Sequence, residues 1–235
     1  MTAIVCKDLC KTFQQGDEII TGLENVSITI EEGDFVCLSG PSGSGKTTLL
    51  NAMGGLDTPD SGQILIGNTR LDQLGKGALA DMRLNKIGFV FQSYNLIPVL
   101  TARENVEFVM QVRGVPAKER ASRSFKILKE VGLQGMENRR PAQLSGGQQQ
   151  RVAVARAIVG HPALVLADEP TANLDTLSSS QLMELFVELN HHHNITFVIA
   201  THDVRVMRYA KRLIKMQDGK IISDDTQEQI NTRDK

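Results

Sequence analysis

The sequence reads Gly40-Pro41-Ser42-Gly43-Ser44-Gly45-Lys46-Thr47 between a short apolar run at 34–39 and a stretch with helical character at 47–53. Glycines at these spacings let the backbone curl around an anion, so that successive N–H groups point at phosphate oxygens. The order strand, loop, helix also turns the positive end of the helix dipole toward the anion. These features predict a nucleotide triphosphate site, with Lys46 reaching the terminal phosphates and Thr47 holding Mg²⁺. The predicted nucleotide contacts are residues 40–47 and Thr48.

The composition sets limits on the class of protein. The chain has 235 residues and 41% hydrophobic content, which is enough for one large domain or for a domain with a sub-domain. Because 26 basic residues face 27 acidic ones, no bulk charge attracts nucleic acid or an anionic membrane. Cys6, Cys10 and Cys37 match no metal or redox spacing and are expected to be reduced thiols. No signal peptide and no apolar stretch near the ~20 residues of a membrane span is visible, so we expect a soluble cytoplasmic chain.

Hydrophobic periodicity divides the chain into a split α/β core and a helical block. Residues 3–39 alternate as antiparallel strands do, and 87–91 forms a buried strand. The pattern turns helical from about 100 to 160, opening with a capping-box spacing at 101–104. Strand character returns at 163–167 and 196–200, and 216–221 is typical of a hairpin. The triple histidine at 191–193 is interpreted as a solvated helix end.

Two acids end an apolar strand at 164–169, Leu-Val-Leu-Ala-Asp-Glu. Asp168 is predicted to reach the Mg²⁺ held by Thr47, usually through water. Glu169 is then free to orient or deprotonate the attacking water. This pair predicts hydrolysis of the bound nucleotide.

Residues 144–148, Leu-Ser-Gly-Gly-Gln, form a second candidate phosphate site. Ser145 is a favourable N-cap, and the paired glycines leave the N–H groups of the helix start open to an anion. If one γ-phosphate is to meet both helix starts, the second most simply comes from another subunit. The sequence therefore predicts a head-to-tail homodimer that closes over ATP.

The set and order of these motifs resemble the ATP-binding subunit of ABC transporters from Ile4 to about Ile222, with five-residue identity to the LSGGQ signature. The resemblance implies that Ser145, Gly146, Gly147 and Gln148 contact ATP of the opposite subunit. It also implies that Gln92 touches Mg²⁺ and senses a membrane subunit, and that His202 contacts the γ-phosphate. Asp175, in the D-loop 172–175, would communicate between sites, and Phe13 would stack on adenine.

The same resemblance implies a fold and a domain plan. It predicts an α/β P-loop NTPase of ABC type, with a mixed sheet core, an N-terminal antiparallel β part and an inserted α-helical sub-domain. The chain would be a single domain over 1–235. Its ATP-binding core would comprise 1–92 and 161–223, its helical sub-domain about 93–160, and its polar tail 224–235.

The tracts 88–106 and 166–171 resemble the branch of lipoprotein-releasing, macrolide-export and cell-division ATPases, although Ala172 replaces the usual Gly and Phe13 the commoner Tyr. This implies ATP and Mg²⁺ as cofactors and a separate integral membrane permease as partner. It also implies a peripheral location on the cytoplasmic face of the inner membrane, with 96–100 either in a groove for the permease or buried. Two alternatives remain: a regulatory ATPase that controls a cell-wall enzyme through a membrane partner, and a soluble ABC ATPase acting on ribosomes or DNA. The absence of bulk basic charge, of a second such domain and of a long coiled-coil insertion disfavours the second, and no nucleic acid is expected.

Overall fold

The structure, a computed structural model, describes residues 1–227. Two short 3-10 turns, Leu71–Gln73 and Pro141–Gln143, accompany the regular elements. The strands and helices are, in chain order, β1 Thr2–Gln15, β2 Glu18–Glu31, β3 Phe35–Ser39, α1 Lys46–Met53, β4 Ser61–Ile66, β5 Thr69–Arg70, α2 Lys76–Lys86, β6 Ile87–Phe91, α3 Ala102–Val112, α4 Ala117–Glu130, α5 Gly146–Ile158, β7 Leu164–Asp168, α6 Thr176–His193, β8 Thr196–Thr201, α7 Val204–Met207, β9 Arg212–Gln217 and β10 Lys220–Thr226.

Two sheets build the α/β core. The first is antiparallel with strand order β2-β1-β4-β5, as the alternating pattern at 3–39 predicts. The second has the order β10-β9-β3-β8-β7-β6, with β10 antiparallel to β9 and all other pairs parallel. Every residue of β3 and β8 is buried, because parallel strands are covered on both faces. The predicted mixed sheet and antiparallel opening are confirmed.

Neighbouring parallel strands bring distant motifs to one edge of this sheet. Ser39 pairs with Thr201 across β3 and β8, and Asp168 pairs with Ala200 across β7 and β8. The phosphate loop, Glu169 and His202 therefore all follow carboxyl ends of adjacent strands. This is the edge at which open α/β sheets bind ligands.

Helices α3, α4 and α5 form the inserted sub-domain. Its first helix begins at the predicted capping box, in which Thr101 Oγ1 accepts from the Glu104 backbone N–H at 3.2 Å and Glu104 Oε2 accepts from the Thr101 N–H at 2.8 Å. Val106 and Met110, four residues apart on α3, are fully buried in a hydrophobic cluster shared with the core. This shared cluster holds the sub-domain against the α/β core.

Some elements differ from the sequence-based expectation. Helix α2 was not predicted, because it buries no residue completely and its N-cap Gly75 makes no side-chain capping bond. The predicted tail from 224 begins inside β10, and its residues 228–235 lie outside the described residues.

Three further findings concern the cysteines, the helices and the triple histidine. All three cysteines are free thiols, and within residues 1–227 no helix combines the length and apolarity needed to cross a bilayer. The triple histidine closes α6 as predicted and is exposed, although His193 also contacts Glu130 of α4.

Candidate ATP site

A pocket of about 580 Å³ opens at the carboxyl edge of the parallel strands. The phosphate loop lines it over 41–48, and four more predicted residues join the lining: Phe13, Gln92, Glu169 and His202. Ile20, Thr21, Gly22 and Ala172 complete it, and sequence patterns did not single them out for this site. The structure thus brings together most of the predicted nucleotide and catalytic residues.

The phosphate loop requires glycine at its two ends. Gly40 has φ 149° and Gly45 has φ 98°, in the region that side chains disfavour. A Cβ on Gly45 would lie 2.5 Å from the carbonyl oxygen of Gly22, and a Cβ on Gly40 would overlap that of Met216. The backbone therefore turns tightly into α1, and the residues at the start of that helix line the pocket. The first N–H groups of a helix have no partner within the helix and are suited to bind an anion.

Lys46 closes the loop onto itself. Its Nζ donates to the carbonyl oxygens of Gly40 at 2.9 Å and Pro41 at 2.8 Å, and lies 3.4 Å from Ser44 Oγ. The side chain is almost fully buried, so these oxygens satisfy a charge that would be costly to leave unpaired. Phosphate oxygens offer stronger, charged acceptors for the same ammonium.

Thr47 and Asp168 meet although 121 residues separate them. Thr47 Oγ1 donates to Asp168 Oδ1 at 3.1 Å. Burial raises the pKa of Asp168, the hydrogen bond from Thr47 opposes that shift, Glu169 reinforces it and Lys46 opposes it. A cation beside this carboxylate would offset its desolvation.

The donor set fits Mg²⁺. The side chains of Thr47, Asp168 and Gln92 carry hard oxygen atoms, the type of ligand that Mg²⁺ prefers. Among residues 1–227, no group of three His, Cys, Asp or Glu side chains is arranged to hold a metal by itself. A site with one carboxylate that is completed by substrate phosphates is the usual arrangement for Mg²⁺ in nucleotide enzymes.

Glu169 is fixed by three donors at the end of β7. Its Oε2 accepts from Thr201 Oγ1 at 2.9 Å, and its Oε1 accepts from the His202 backbone N–H at 3.1 Å. His202 Nδ1 lies 2.7 Å from the same Oε1. The Glu169 side chain is 17% exposed and the His202 side chain 69% exposed, so the carboxylate is largely enclosed while most of the ring faces solvent. Sequence analysis missed Thr201, whose only signal is its place at a strand end directly before His202.

Phe13 lies at the mouth of the pocket with 40% of its surface exposed. Lys11 Nζ is 5.5 Å from the ring centroid and is itself held by Asp57 and Asp60 at 3.3 and 3.4 Å. A Cβ on Gly22 would come within 2.5 Å of the ring, so glycine keeps this place open. The ring therefore has a supported position and an exposed part, as a base-stacking platform needs.

The signature residues lie apart from this pocket. Ser145 Oγ accepts from the Gln148 N–H at 3.3 Å and Gln148 Oε1 accepts from the Ser145 N–H at 3.0 Å, so the predicted N-cap is confirmed as a capping box of α5. Gly146 faces the Tyr94 hydroxyl, which would lie 2.9 Å from an added Cβ. None of residues 145–148 is among those that line the pocket.

Asp175 also lies outside the pocket lining. Its Oδ1 accepts from the Ser178 N–H at 2.9 Å and its Oδ2 from the Ser178 hydroxyl at 2.6 Å, which makes it the N-cap of α6. The hydroxyl bond is the largest cause of the lowered pKa of Asp175. Within one chain, Asp175 therefore serves as the N-cap that stabilises the start of α6.

Two residues that sequence analysis missed connect the loop after Gln92 to other parts of the site. Arg156 of α5 donates to the carbonyl oxygens of Tyr94 at 2.9 Å and Asn95 at 2.5 Å, and these two residues have φ 60° and 49°. Asn173 Nδ2 donates to the Gln92 carbonyl oxygen at 3.0 Å. The loop is thus tied both to the helix that begins at the signature and to the D-loop.

Comparison with known proteins gives consistent matches. A family profile described as "ABC transporter" matches residues 23–172. The uncharacterized ABC transporter ATP-binding protein MJ0796 of Methanocaldococcus jannaschii is 46% identical over 222 residues, covering 93% of this chain and 94% of that protein. The macrolide export ATP-binding/permease protein MacB of Brucella melitensis is 45% identical over 226 residues, covering 96% of this chain but 35% of that protein.

Solved structures agree with these matches. A dimeric structure of MJ0796 has a TM-score of 0.88 and 44% identity, covering 95% of this chain and 98% of that one. A second dimeric structure of MJ0796, in a post-hydrolysis state bound to ADP and Pi, has a TM-score of 0.88, 43% identity and the same coverage.

Proposed function

The chain belongs to the ABC transporter family as an ATP-binding, ATP-hydrolysing subunit, and we propose that two copies share each ATP head to tail. In this arrangement the phosphate loop of one copy and residues 145–148 of the other enclose the same γ-phosphate. The dimer would use ATP to drive a separate membrane subunit in an envelope process such as lipoprotein release or macrolide or peptide export.

One observation carries the shared site. The pocket is lined by the loop 41–48, Glu169 and His202, yet it lacks the second helix start, 145–148, which has the geometry to bind an anion. A second copy can supply that missing part without any rearrangement of the fold. The dimeric structures of MJ0796, one of them with ADP and Pi, support this arrangement.

The residues of one chain divide the binding work. On ATP binding, the Lys46 ammonium would leave the carbonyl oxygens of Gly40 and Pro41 for the phosphates, which are stronger acceptors. The N–H groups of the loop and the start of α1 would receive the remaining phosphate oxygens, and Phe13 would stack on the base. Mg²⁺, when bound, supplies positive charge at the phosphates, and the residues that would hold it are Thr47, Gln92 and Asp168, the last through water.

Glu169 is the proposed general base. The donors that fix its carboxylate aim it into the pocket, where it would accept a proton from the attacking water. The water oxygen forms a bond to the γ-phosphorus as the bond from that phosphorus to the ADP oxygen breaks. His202, whose ring is mostly exposed, would turn from Glu169 toward the γ-phosphate.

A groove between the ATP-binding core and the helical sub-domain supports a membrane partner. It has a volume of about 510 Å³ and is lined by apolar residues that include Leu56, Phe89, Ile97 and Phe108. Leu56 and Phe108 are 47% and 45% exposed and lie in the same groove, and apolar surface gathered in one groove suits a protein partner. MacB joins ATP-binding and permease functions in one protein, and this chain spans about a third of its length. These observations support a location on the cytoplasmic face of the inner membrane, where a permease would hold the chain.

The shared site is tested by oligomeric state. With a non-hydrolysable ATP analogue and Mg²⁺, the wild-type chain should elute as a dimer on a sizing column. Ser145→Arg should bind the same analogue through its intact loop yet remain a monomer. A monomeric wild-type chain at saturating analogue would refute the shared site.

The partner is tested by purification from detergent-solubilised membranes. An integral membrane protein should be recovered with the chain, and recovery should fall when Phe108→Glu places a charge in the groove. Recovery of ribosomal or DNA-associated material alone would refute the transport role.

A further inference from the structure

We propose that Thr201 is a positioning residue for ATP hydrolysis, whose buried hydroxyl holds the Glu169 carboxylate and the turn that carries His202. The proposal rests on the general-base role of Glu169 and adds a residue that no sequence motif assigned. It is carried by the geometry at the end of β8.

The hydroxyl of Thr201 is fully engaged. Thr201 is the last residue of β8 and has 0% exposure. Its Oγ1 donates to Glu169 Oε2 at 2.9 Å and accepts from the Asp203 backbone N–H at 3.1 Å. A hydroxyl can donate one hydrogen bond, and the hydroxyl of Thr201 donates it to the carboxylate of Glu169, the proposed base. One atom thus connects the end of β7 to the turn after β8.

The backbone of Glu169 and its carboxylate are held by different hydrogen bonds, and the backbone conformation is uncommon. Its φ is 44°, a region that costs free energy for a residue with a side chain. Its backbone N–H is held by the Ala200 carbonyl oxygen at 2.8 Å, which fixes the main chain but not the carboxylate. The side chain must therefore be oriented by its own hydrogen bonds.

The two carboxylate oxygens are held by groups of different mobility. Oε1 contacts the backbone N–H and the Nδ1 of His202, whose ring is 69% exposed. Oε2 contacts the hydroxyl of a residue locked in the sheet. When the His202 ring turns toward a phosphate, the Thr201 bond and the His202 N–H remain to fix the carboxylate plane. Small displacements of a reacting group cost up to about 10²-fold in rate, so loss of one of these two bonds should be measurable.

Thr196 provides a matched control on the same strand. It is the first residue of β8, it also has 0% exposure, and its Oγ1 accepts from the Gly33 backbone N–H at 3.0 Å. Replacing either threonine by valine keeps the side-chain shape and removes a buried hydroxyl that satisfies a backbone N–H. Of these two threonines, only Thr201 contacts Glu169, so only replacement of Thr201 should affect the chemical step.

The test compares steady-state ATP hydrolysis by full-length variants. Thr201→Val should lower kcat roughly 10- to 100-fold while KM and analogue binding stay within about threefold of wild type, because the hydroxyl acts on the chemical step. Thr201→Ser should restore kcat to within about threefold, since it retains the hydroxyl. Thr196→Val should lose similar thermal stability and keep its kcat. If Thr201→Val does not fold, Thr201→Ala serves as the hydroxyl-free variant.

Combining the change with Glu169→Gln separates this proposal from the role of Glu169 itself. Because Thr201 acts chiefly through the Glu169 carboxylate, Thr201→Val should cause a smaller loss of kcat in the Glu169→Gln background than in the wild type, and an equal loss in both would overturn the route through Glu169. An unchanged kcat in Thr201→Val, no rescue by serine, or an equal loss in Thr196→Val would overturn the positioning role. An unchanged kcat in Glu169→Gln would instead overturn the general base.

Discussion

Replacement of Glu169 by glutamine separates ATP binding from hydrolysis. Glutamine has the same shape, and its one carbonyl oxygen can accept from Thr201 or from the His202 N–H, the donors at 2.9 and 3.1 Å. The amide nitrogen cannot take a proton from water at neutral pH. The variant should therefore keep the phosphate loop and lose only the base.

Glu169→Gln should have a large effect on the rate of hydrolysis and a smaller effect on folding stability. A positioned general base contributes about 10²- to 10⁴-fold in rate, so kcat should fall by that factor, a barrier increase of about 3 to 5 kcal/mol. At least one donor now at the carboxylate loses its acceptor, which costs about 1 to 3 kcal/mol of folding stability. At about 2 to 4 °C per kcal/mol for a chain of this size, the variant stays folded at 25 °C.

The assay is phosphate release at saturating ATP and Mg²⁺, together with equilibrium binding of ATP and a sizing column. ATP affinity should stay within about threefold of wild type, and the uncleaved ATP should trap a dimer. Glu184→Gln, at an exposed position of α6, is the control and should hydrolyse ATP at the wild-type rate. A loss in kcat of less than tenfold with normal ATP affinity would refute the assignment of Glu169 as base.

Three further predictions concern other parts of the chain. Burial raises the pKa of Cys6 and Cys37 to about 12. A thiol reagent at pH 8 should therefore label only Cys10 in the native protein and all three cysteines in denaturant. Labelling of all three cysteines in the native protein would contradict this prediction. Arg156→Met leaves the carbonyl oxygens of Tyr94 and Asn95 without their donor and should lower Tm by several °C, at about 2 to 4 °C per kcal/mol. Arg156→Lys should lower Tm less, and an unchanged Tm in Arg156→Met would argue that these two hydrogen bonds do not stabilise the loop. The pKa of His161, whose side chain is exposed, is lowered chiefly by partial desolvation and then by nearby cations. The unfolded chain therefore binds the His161 proton at a higher pH than the folded chain, and the free energy of unfolding falls as pH drops below about 6.5. His161→Asn, which tolerates the φ of 51°, should therefore gain in Tm relative to wild type between pH 8 and pH 5.5, and a constant difference would exclude this effect.

The amino-acid sequence by itself determined the parts of this protein that depend on neighbours along the chain. The phosphate loop could be predicted because its glycines and Lys46 act within one turn of backbone, and the caps at Thr101 and Ser145 because each closes on a residue three positions later. Period-two and buried apolar runs gave the strands, since the two faces of a strand alternate with sequence. Helix α2 was not predicted from the sequence because it buries no residue completely and therefore shows little amphipathic pattern.

Only the tertiary structure decided which distant residues meet. Thr201 holds Glu169 because β7 and β8 are neighbours in register, with Asp168 opposite Ala200, although 32 residues separate the partners in the chain. Arg156 reaches the loop after Gln92 for a similar reason, from the middle of a helix with no local mark of that contact. Strand order and helix docking arise from burial of apolar surface over the whole domain. Because this driving force does not depend on which residues are neighbours in the sequence, local patterns do not reveal which elements will pack together. The same packing leaves Ser145 outside the pocket formed by its own chain, and this separation is why the proposed ATP site needs a second copy.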